Sequence, residues 1–454
     1  MAMTLDIAAP EYRRDLGDGL VARWSTADDT EKIAQTAGQV FRGKDSDPFN
    51  ERTANAVRVY MSGRVPVMGP GDYAIVEDHT KEGNPVVAGI CLMRMEWYYE
   101  DILFKMGRPE IVFSDPGYRN RGLIRTLFEF VHARSAAEGR LLDAITGIYY
   151  FYRQFGYEYA LDLDSSKGVY LTASPKAKEG DAELYTLRPA TQADLPQMKE
   201  IYQQRDRSLH TVTTHIGDSY MKFMLEDWSD HPARPQFGTT MMIVDKQGQA
   251  QGWLSLPITR GGKSLNVWSM YTRPHLNLQA MLQSLLHALQ TYGQQMPTQK
   301  PDTEAFSEIK FYLGQQHPVY TALGNLAAIT DPGYAWYIRI ADLPRFIRHI
   351  APALEKRLLN SPVEGFTGEL KLDFYRGGIR MAFREGRLET VEDWRSTVLN
   401  NCSDGGFPPL VFFQALLGYR SLDELRRNYP DAWVNNEVLF TTLFPVRPSW
   451  AIWL

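Results

Sequence analysis

The segment from Ile111 to Arg125 constrains the fold of this chain more than any other stretch. Its first four residues favour a β-strand, and a Pro-Gly pair shortly afterwards ends that strand. From Leu123 onward, apolar residues recur at helical spacing. The sequence therefore predicts a strand, then a basic turn, then a helix that begins near Gly122.

A helix that begins at this turn offers a site for a phosphate group. The first N–H groups of a helix have no intrahelical partner, and they lie at the positive end of the helix dipole. We expect the backbone of residues 120–125 to bind a pyrophosphate, with Arg119, Arg121 and Arg125 adding positive charge. Gly122 would allow close approach of the ligand. The pattern is also compatible with an ordinary strand-turn-helix that carries solvated arginines.

A second stretch, Phe151-Tyr152-Arg153-Gln154-Phe155-Gly156-Tyr157, follows about one helix and one strand later. The two stretches together resemble the coenzyme A motif, Q/R-x-x-G-x-G/A, and the following motif, F-Y-x-x-x-G-F/Y, of the GCN5-related N-acetyltransferases. The first motif departs from the family pattern at Ile124, which stands where the family has a small residue. A large aliphatic residue there resembles the branch that contains the mycobacterial enhanced intracellular survival protein.

The resemblance implies an N-acetyltransferase with acetyl-coenzyme A as co-substrate and no metal. Tyr152 matches the family's acid, which protonates the departing thiolate, and a phenol with a pKa of about 10 can donate that proton. Tyr152 could instead be a core aromatic residue. In the family the strand before the turn binds the pantetheine arm, and its main-chain N–H polarises the thioester carbonyl. The residues thereby assigned to the coenzyme are Val112, Phe113, Ser114, Arg119, Asn120, Arg121, Gly122, Leu123, Ile124 and Arg125.

The general base is less directly indicated. In the same branch the C-terminal carboxylate of the chain enters the first domain's site and takes the amine proton, which here implies Leu454. The end of the sequence, from Pro448 to Leu454, is apolar and aromatic, whereas a frayed end is normally polar, so we expect it to be buried. The tryptophans there could also merely dock the tail. Three other acids are alternative bases or could attract a cationic amine: Glu96, Glu100 and Asp101.

The sequence also contains an internal echo. Arg23 and Arg188 lie 165 residues apart, and each belongs to a strand that is followed by a Thr-x-x-Asp helix start. The segment Val319–Gly324 likewise mirrors Phe151–Gly156. We therefore expect two copies of one domain, with Ser165 to Asp181 as the connection between them.

The anion-binding residues are lost in the second copy. The segment Pro116–Leu127 aligns without gaps with Pro274–Leu285, and the apolar positions of the helix are retained. Three key residues of the turn change, because Arg119, Arg121 and Gly122 become, in order, Asn277, Gln279 and Ala280. We expect the first copy to bind coenzyme and the second to be a degenerate scaffold.

From about Trp336 the pattern changes. A strand and an Asp-capped helix come first, residues 366–383 alternate as in a hairpin, and Ser421 and Glu424 form a capping-box pattern. This part resembles the sterol-carrier-like C-terminal domain of the same branch. The expected fold is therefore mixed α/β (α+β), with mostly antiparallel sheets and flanking helices. The expected domains are a catalytic domain (1–165), a degenerate second copy (166–335) and a sterol-carrier-like domain (336–454).

The composition of the chain limits the kinds of partner that it can bind. The net charge of −5 over 454 residues argues against a generally basic nucleic-acid binder. Two cysteines far apart in sequence indicate neither a disulfide framework nor a cysteine zinc site, and the nine histidines lack H-E-x-x-H spacing. No run of about eighteen apolar residues occurs, so we expect a cytoplasmic protein without a membrane partner.

The expected acceptor is an amine, either of a small cationic, polyamine-like molecule or of a lysine side chain. The resemblance also implies a homo-oligomer, with a hexamer among the assemblies considered. Two other functions stay open at this stage. One is a non-catalytic acyl-coenzyme A or lipid-binding protein that uses the sterol-carrier-like domain, and the other is a regulatory scaffold that binds coenzyme without reacting.

Overall fold

The computed structural model describes residues 6–44, 46–174, 183–227, 238–396 and 402–452. Within these ranges the strands form four sheets, and nearly all strand pairs are antiparallel. The mixed α/β architecture predicted from the sequence is confirmed. No helix in these ranges is both long enough and apolar enough to cross a membrane.

In chain order the strands are β1 (Arg13–Gly17), β2 (Leu20–Trp24), β3 (Tyr73–Asp78), β4 (Val86–Tyr99), β5 (Ile102–Ser114), β6 (Leu142–Ile145), β7 (Glu158–Leu163), β8 (Ser166–Tyr170), β9 (Tyr185–Pro189), β10 (Val212–Thr214), β11 (Thr239–Asp245), β12 (Ala250–Leu256), β13 (Ser264–Val267), β14 (Ser269–Thr272), β15 (Glu308–Phe311), β16 (Ile329–Asp331), β17 (Tyr334–Arg339), β18 (Gly368–Asp373), β19 (Gly378–Arg384), β20 (Arg387–Asp393), β21 (Gly405–Gly406) and β22 (Trp433–Val434).

The α-helices in the described ranges are α1 (Thr30–Val40), α2 (Glu51–Met61), α3 (Leu123–Ala137), α4 (Leu195–Gln203), α5 (Asp218–Met224), α6 (Leu278–Gln295), α7 (Pro318–Leu323), α8 (Leu343–Leu358), α9 (Phe412–Leu416), α10 (Leu422–Asn428) and α11 (Glu437–Leu443). The predicted hairpin in residues 366–383 is formed by β18 and β19. The predicted capping box of Ser421 and Glu424 begins α10.

The two copies begin with the same local structure, as the sequence echo predicts. Thr26 and Asp29 form a capping box before α1, and the Asp29 carboxylate also pairs with Arg23 at 2.7 Å. A side chain that caps a helix and neutralises a neighbouring arginine fixes the strand-to-helix angle locally. The equivalent residues of the second copy form the same box before α4 and the same ion pair, at 2.6 Å: Thr191, Asp194 and Arg188.

The copies exchange their last strands. After β7 the chain crosses into the second copy, where β8 lies between β15 and β16. After β16 it crosses back, and β17 lies between β6 and β7 of the first sheet. Neither copy can separate from the other without breaking main-chain hydrogen bonds in both sheets.

The exchange corrects one expectation and qualifies another. The segment Ser165 to Asp181 was expected to be a connection, but its first part is the paired strand β8, and residues 175–182 lie outside the described ranges. The strand that opens the predicted third domain, β17, belongs to the sheet of the first copy. The limits of the three domains otherwise remain a prediction.

Candidate functional site

Strand β5 carries a bulge near its carboxyl end. Gly89 of β4 pairs with Phe113, whereas Cys91 pairs with Glu110, so β5 has one extra residue between these pairs. Ile111 lies at the bulge with a φ of 47°, a left-handed conformation that is rare for a β-branched residue. Bulges bend a strand and redirect its main-chain groups, and they often occur beside functional sites.

Strands β5 and β6 diverge before this bulge. Their parallel pairing is confined to Met106 with Leu142 and Gly107 with Asp143. Within the described residues no strand pairs with this edge of β5 beyond Gly107. The resulting gap leaves main-chain N–H and C=O groups available to an extended ligand.

The predicted pantetheine-binding residues lie along this diverging part of β5. Val112 and Ser114 are half-buried, and Phe113 is buried with its ring against Gly89. The side chains of these residues therefore contribute mainly to packing. Any contact with an extended ligand in the gap would come from their main-chain groups.

The basic turn has the geometry expected of an anion site. Gly122 precedes α3 with a φ of 76°, and no side chain caps the helix. The first intrahelical bond in this turn runs from the N–H of Thr126 to the carbonyl of Gly122, at 3.1 Å. The N–H groups of residues 123–125 therefore have no intrahelical acceptor. The predicted start of the helix near Gly122 is confirmed.

The side chains of the turn divide between solvent and core. Those of Arg119, Asn120, Arg121 and Arg125 are exposed, whereas Leu123 is buried. Ile124 is half-buried and packs against the core of the first copy, which explains why a large aliphatic residue is tolerated there. The turn therefore presents positive charge outward on a rigid apolar base.

Two of the arginines are held in place by aromatic rings. The guanidinium of Arg121 lies 5.2 Å from the ring centroid of Tyr118, and that of Arg125 lies 5.4 Å from the ring of Phe155. Arg125 also donates a hydrogen bond of 2.9 Å to the side chain of Gln154. The turn and the second motif are thus joined directly.

Tyr152 lies in a short 3₁₀ turn, Phe151–Phe155, and is only 3% exposed. Its hydroxyl is near Gly147, where a Cβ atom would lie 3.6 Å from it. No hydrogen bond to this hydroxyl occurs within the described part of the chain. Burial raises the pKa of Tyr152, and the nearby charge of Glu110 raises it further. The phenol therefore keeps its proton at neutral pH, as a proton donor must.

In the second copy, the residues that correspond to Tyr152 and to the gap beside β5 are hydrogen-bonded within the protein. The hydroxyl of Tyr320, which matches Tyr152 in the echo, donates to the carbonyl of Phe311 at 2.7 Å and accepts from the N–H of Leu313 at 3.1 Å. The parallel pairing of β13 with β15 extends over four residue pairs. Both the tyrosine and the strand gap are therefore satisfied internally.

The helix of the second copy supplies its own cap. The side chain of Asn277 accepts the N–H of Ala280 at 3.1 Å, at the start of α6. Ala280 is the residue that aligns with Gly122. An N–H group that is already bonded to a side chain is not available to a phosphate, which is the physical reason for the predicted loss of the anion site.

Gly122→Asp should weaken binding of coenzyme A by roughly a hundredfold, because like charges brought together cost several kcal/mol. A Cβ at Gly122 would meet no atom within 4 Å, so the change should not block folding by a clash. Gly122→Asn tests the left-handed backbone without the charge and should lose far less. Ala280→Asp is the matched control in the second copy. Calorimetry should give one site per chain, and two equivalent sites or an unaffected Gly122→Asp variant would reject this assignment.

A cavity of about 980 Å³ lies between the two copies. Its wall includes Glu110 and Ile111 at the bulge of β5, so it adjoins the gap described above. The second copy contributes apolar and aromatic residues together with seven neutral polar ones: Thr191, Gln192, Thr239, Thr240, Ser255, Asn266 and Ser269. The charged residues of the wall are Glu110, Asp162, Asp164, Glu226 and Asp227 on the acidic side, with Arg52 and Arg108 on the basic side. Carboxylates therefore outnumber cations in the wall.

The tail of the chain enters the same cavity. Residues 449–452 line it, and residues 448–450 run beside β10, with Trp450 donating its N–H to Val212 and Pro448 accepting from Thr211, each at 2.9 Å. Ser449 and Ala451 are buried. The predicted burial of the tail is confirmed for these residues. Leu454, whose carboxylate was predicted as the base, lies outside the described residues.

The alternative acids proposed from the sequence do not line this cavity. Glu100 is held by Arg357 and Arg447, each at 2.7 Å, and so joins the first copy to the C-terminal part. The other two also lie near basic side chains outside the cavity, Asp101 near Arg207 and Glu96 near His215. Their proximity to an aromatic run in sequence was not a reliable signal of position.

The sequence interpretation missed Glu110. One of its oxygens, Oε2, accepts from Nε and Nη2 of Arg108 at 2.9 and 2.8 Å. The other oxygen has no partner within the described residues. The only sequence signal was its place two residues before the strand residues assigned to the coenzyme. That place puts a carboxylate in the cavity wall beside the bulge.

Comparisons with known proteins identify a domain to which this part of the chain is similar. Residues 22–160 match the family model of an acetyltransferase (GNAT) domain, a range that includes the turn and the Tyr152 motif. No curated protein matches the chain in sequence.

Solved structures share the fold over most of the chain. A GCN5-related N-acetyltransferase from Anabaena variabilis is 15% identical, with 95% of this chain and 99% of that chain covered and a TM-score of 0.64. One from Kribbella flavida is 16% identical, with coverages of 95% and 97% and a TM-score of 0.62. Eis1 from Mycobacterium abscessus is 12% identical, with coverages of 95% and 99% and a TM-score of 0.55. At these identities the likeness is one of fold alone.

Proposed function

We propose that this acyltransferase, whose GNAT acetyltransferase domain lies in residues 22–160, transfers an acetyl group from acetyl-coenzyme A to a cationic amine. The observation that carries the proposal is continuity along β5. Its residues 112–114 lead from the cavity wall at Glu110 and Ile111 directly to the basic turn. A ligand with an anionic end and a long neutral arm fits such a path.

In the proposed complex the pyrophosphate binds the N–H groups at the start of α3. The pantetheine arm pairs with main-chain groups of Val112, Phe113 and Ser114. The thioester then lies near the bulge, where a redirected N–H stabilises the oxyanion that forms when the amine attacks. Tyr152 donates its proton to the departing thiolate.

The charge of the cavity supports a cationic acceptor. The acidic residues of the wall outnumber the two arginines, so a positively charged amine is attracted to it. A polyamine-like small molecule or a lysine side chain meets this requirement. The amine that attacks the thioester must be neutral at that moment, so a base that removes its proton is needed as well.

We propose the terminal carboxylate of Leu454 as that base. Ile452, the last residue that the structure describes, lines the cavity. Glu110 is the side-chain alternative, because it lies in the same wall and has one oxygen without a protein partner among the described residues. Both groups are carboxylates, and only kinetics on altered chains can separate them.

Three further predictions made from the sequence are kept as proposals. The sterol-carrier-like nature of the C-terminal part, the homo-oligomer and the cytoplasmic location are proposals that rest on the sequence. The alternative of a non-catalytic lipid carrier finds no specific support, since such a carrier has no need of Tyr152 or of the basic turn.

The direct test is release of free thiol from acetyl-coenzyme A with a panel of amines. A polyamine and a lysine peptide should be acetylated at least about tenfold more efficiently than a neutral aromatic amine of similar size, because the wall favours cations. High salt should reduce this preference. No thiol release with any amine, or equal rates for cationic and neutral amines, would contradict the proposal.

A further inference from the structure

Asp162 lies where three parts of the chain meet. It belongs to β7 of the first copy and is 6% exposed, in the wall of the cavity. Its Oδ2 accepts the N–H of Ser449 in the tail at 2.9 Å, and its Oδ1 accepts from Nε2 of Gln315 in the second copy at 2.5 Å. One carboxylate thus joins the first copy, the second copy and the tail.

The other described hydrogen bonds of residues 448–452 are made between neutral groups. Ser449 accepts from the N–H of Val212 at 3.1 Å through its hydroxyl, and the indole of Trp450 donates to the carbonyl of Tyr312 at 3.3 Å. Thr214 donates to the carbonyl of Ile452 at 3.3 Å. Among the described hydrogen bonds of residues 448–452, the one to Asp162 is the one that involves a carboxylate, and hydrogen bonds to charged groups are the stronger ones.

The bond to Ser449 also lies at a decisive position. Ser449 is the first residue of the tail in the cavity wall, and the bridge between Trp450 and Thr213 follows directly after it. Burial raises the pKa of Asp162, whereas the N–H of Ser449 acts in the opposite direction. The hydrogen bonds from Ser449 and Gln315 thus offset part of the cost of burying the charged carboxylate.

We propose that Asp162 is a positioning residue that holds the C-terminal tail in the cavity between the two copies. Its effect on turnover rests on the proposed function, because it acts through whatever the last residues do there. Its effect on the position of the tail does not rest on the proposed function. Asp162 is therefore expected to control the exposure of the chain end whether or not an amine is acetylated.

The test compares Asp162→Ala with Asp162→Asn. Alanine removes both acceptors, whereas asparagine can accept from Ser449 and donate to Gln315 if the amide of Gln315 turns over. Carboxypeptidase should shorten Asp162→Ala at least about tenfold faster than the unaltered chain, and it should leave Asp162→Asn near the unaltered rate. Calorimetry with coenzyme A should give the same affinity for all three chains, which shows that each is folded.

The kinetic arm uses an amine that the unaltered chain acetylates. Asp162→Ala should lose at least about tenfold in kcat/KM for the amine with an unchanged KM for acetyl-coenzyme A, and Asp162→Asn should recover most of it. A tail that resists carboxypeptidase equally in all three chains overturns the proposal. So does an Asp162→Asn chain with a protected tail but lost turnover, because the charge would then act on the amine directly. If no amine is acetylated at all, the proposed function fails while the digestion result still stands.

Discussion

Tyr152→Phe is expected to lower kcat by roughly a hundredfold or more while the affinity for coenzyme A barely changes. The hydroxyl is removed, and with it the proposed donor of the proton to the departing thiolate. The ring remains, so its edge contacts with Phe128 and Tyr337, at centroid distances of 5.9 and 5.4 Å, are retained. An interaction that exists only in the transition state affects kcat and leaves binding in the ground state intact.

The second copy provides the matched control. Tyr320→Phe removes a hydroxyl that bonds to the backbone at Phe311 and Leu313, so it should reduce the free energy of unfolding by about 1–3 kcal/mol without altering kcat. Stopped-time assays of thiol release and thermal unfolding measure both quantities. Equal kcat values for Tyr152→Phe and the unaltered chain would exclude Tyr152 as the acid.

Extension of the chain beyond Leu454 by three residues is expected to lower kcat by roughly a hundredfold if the terminal carboxylate is the base, because the extension displaces that charge. The contacts of residues 448–452 are retained, so binding of coenzyme A should not change. A tail that merely packs would tolerate the extension. Full activity in the extended chain would therefore exclude the carboxylate of Leu454 as the base.

Glu110→Gln separates the two carboxylates. The amide keeps the size of the side chain and can still accept from Arg108, so the cavity wall is preserved. If the terminal carboxylate is the base, Glu110→Gln should cost less than about tenfold in kcat and act mainly on the KM of the amine, through lost attraction. The reverse pattern, with a large loss in Glu110→Gln and none in the extended chain, would assign the base to Glu110.

The sequence by itself determined the local parts of the site. The apolar spacing after Gly122, the Pro-Gly stop and the absence of a capping side chain fix the turn within about fifteen residues of chain. The loss of the site in the second copy was predicted from the replacement of Arg119, Arg121 and Gly122, and the structure adds that Asn277 caps the helix there. The apolar ending of the chain predicted its burial, because exposure of so many apolar side chains to water is costly.

Only the tertiary structure decided which strands pair and what lines the cavity. The exchange of strands β8 and β17 between the sheets depends on long-range pairing that no local pattern records. The same holds for Glu110 and Asp162, which come from separate strands and line one cavity together with the tail. Glu96, Glu100 and Asp101, which are close to aromatic residues in sequence, face elsewhere because strand direction and packing, not sequence proximity, determine where a side chain lies.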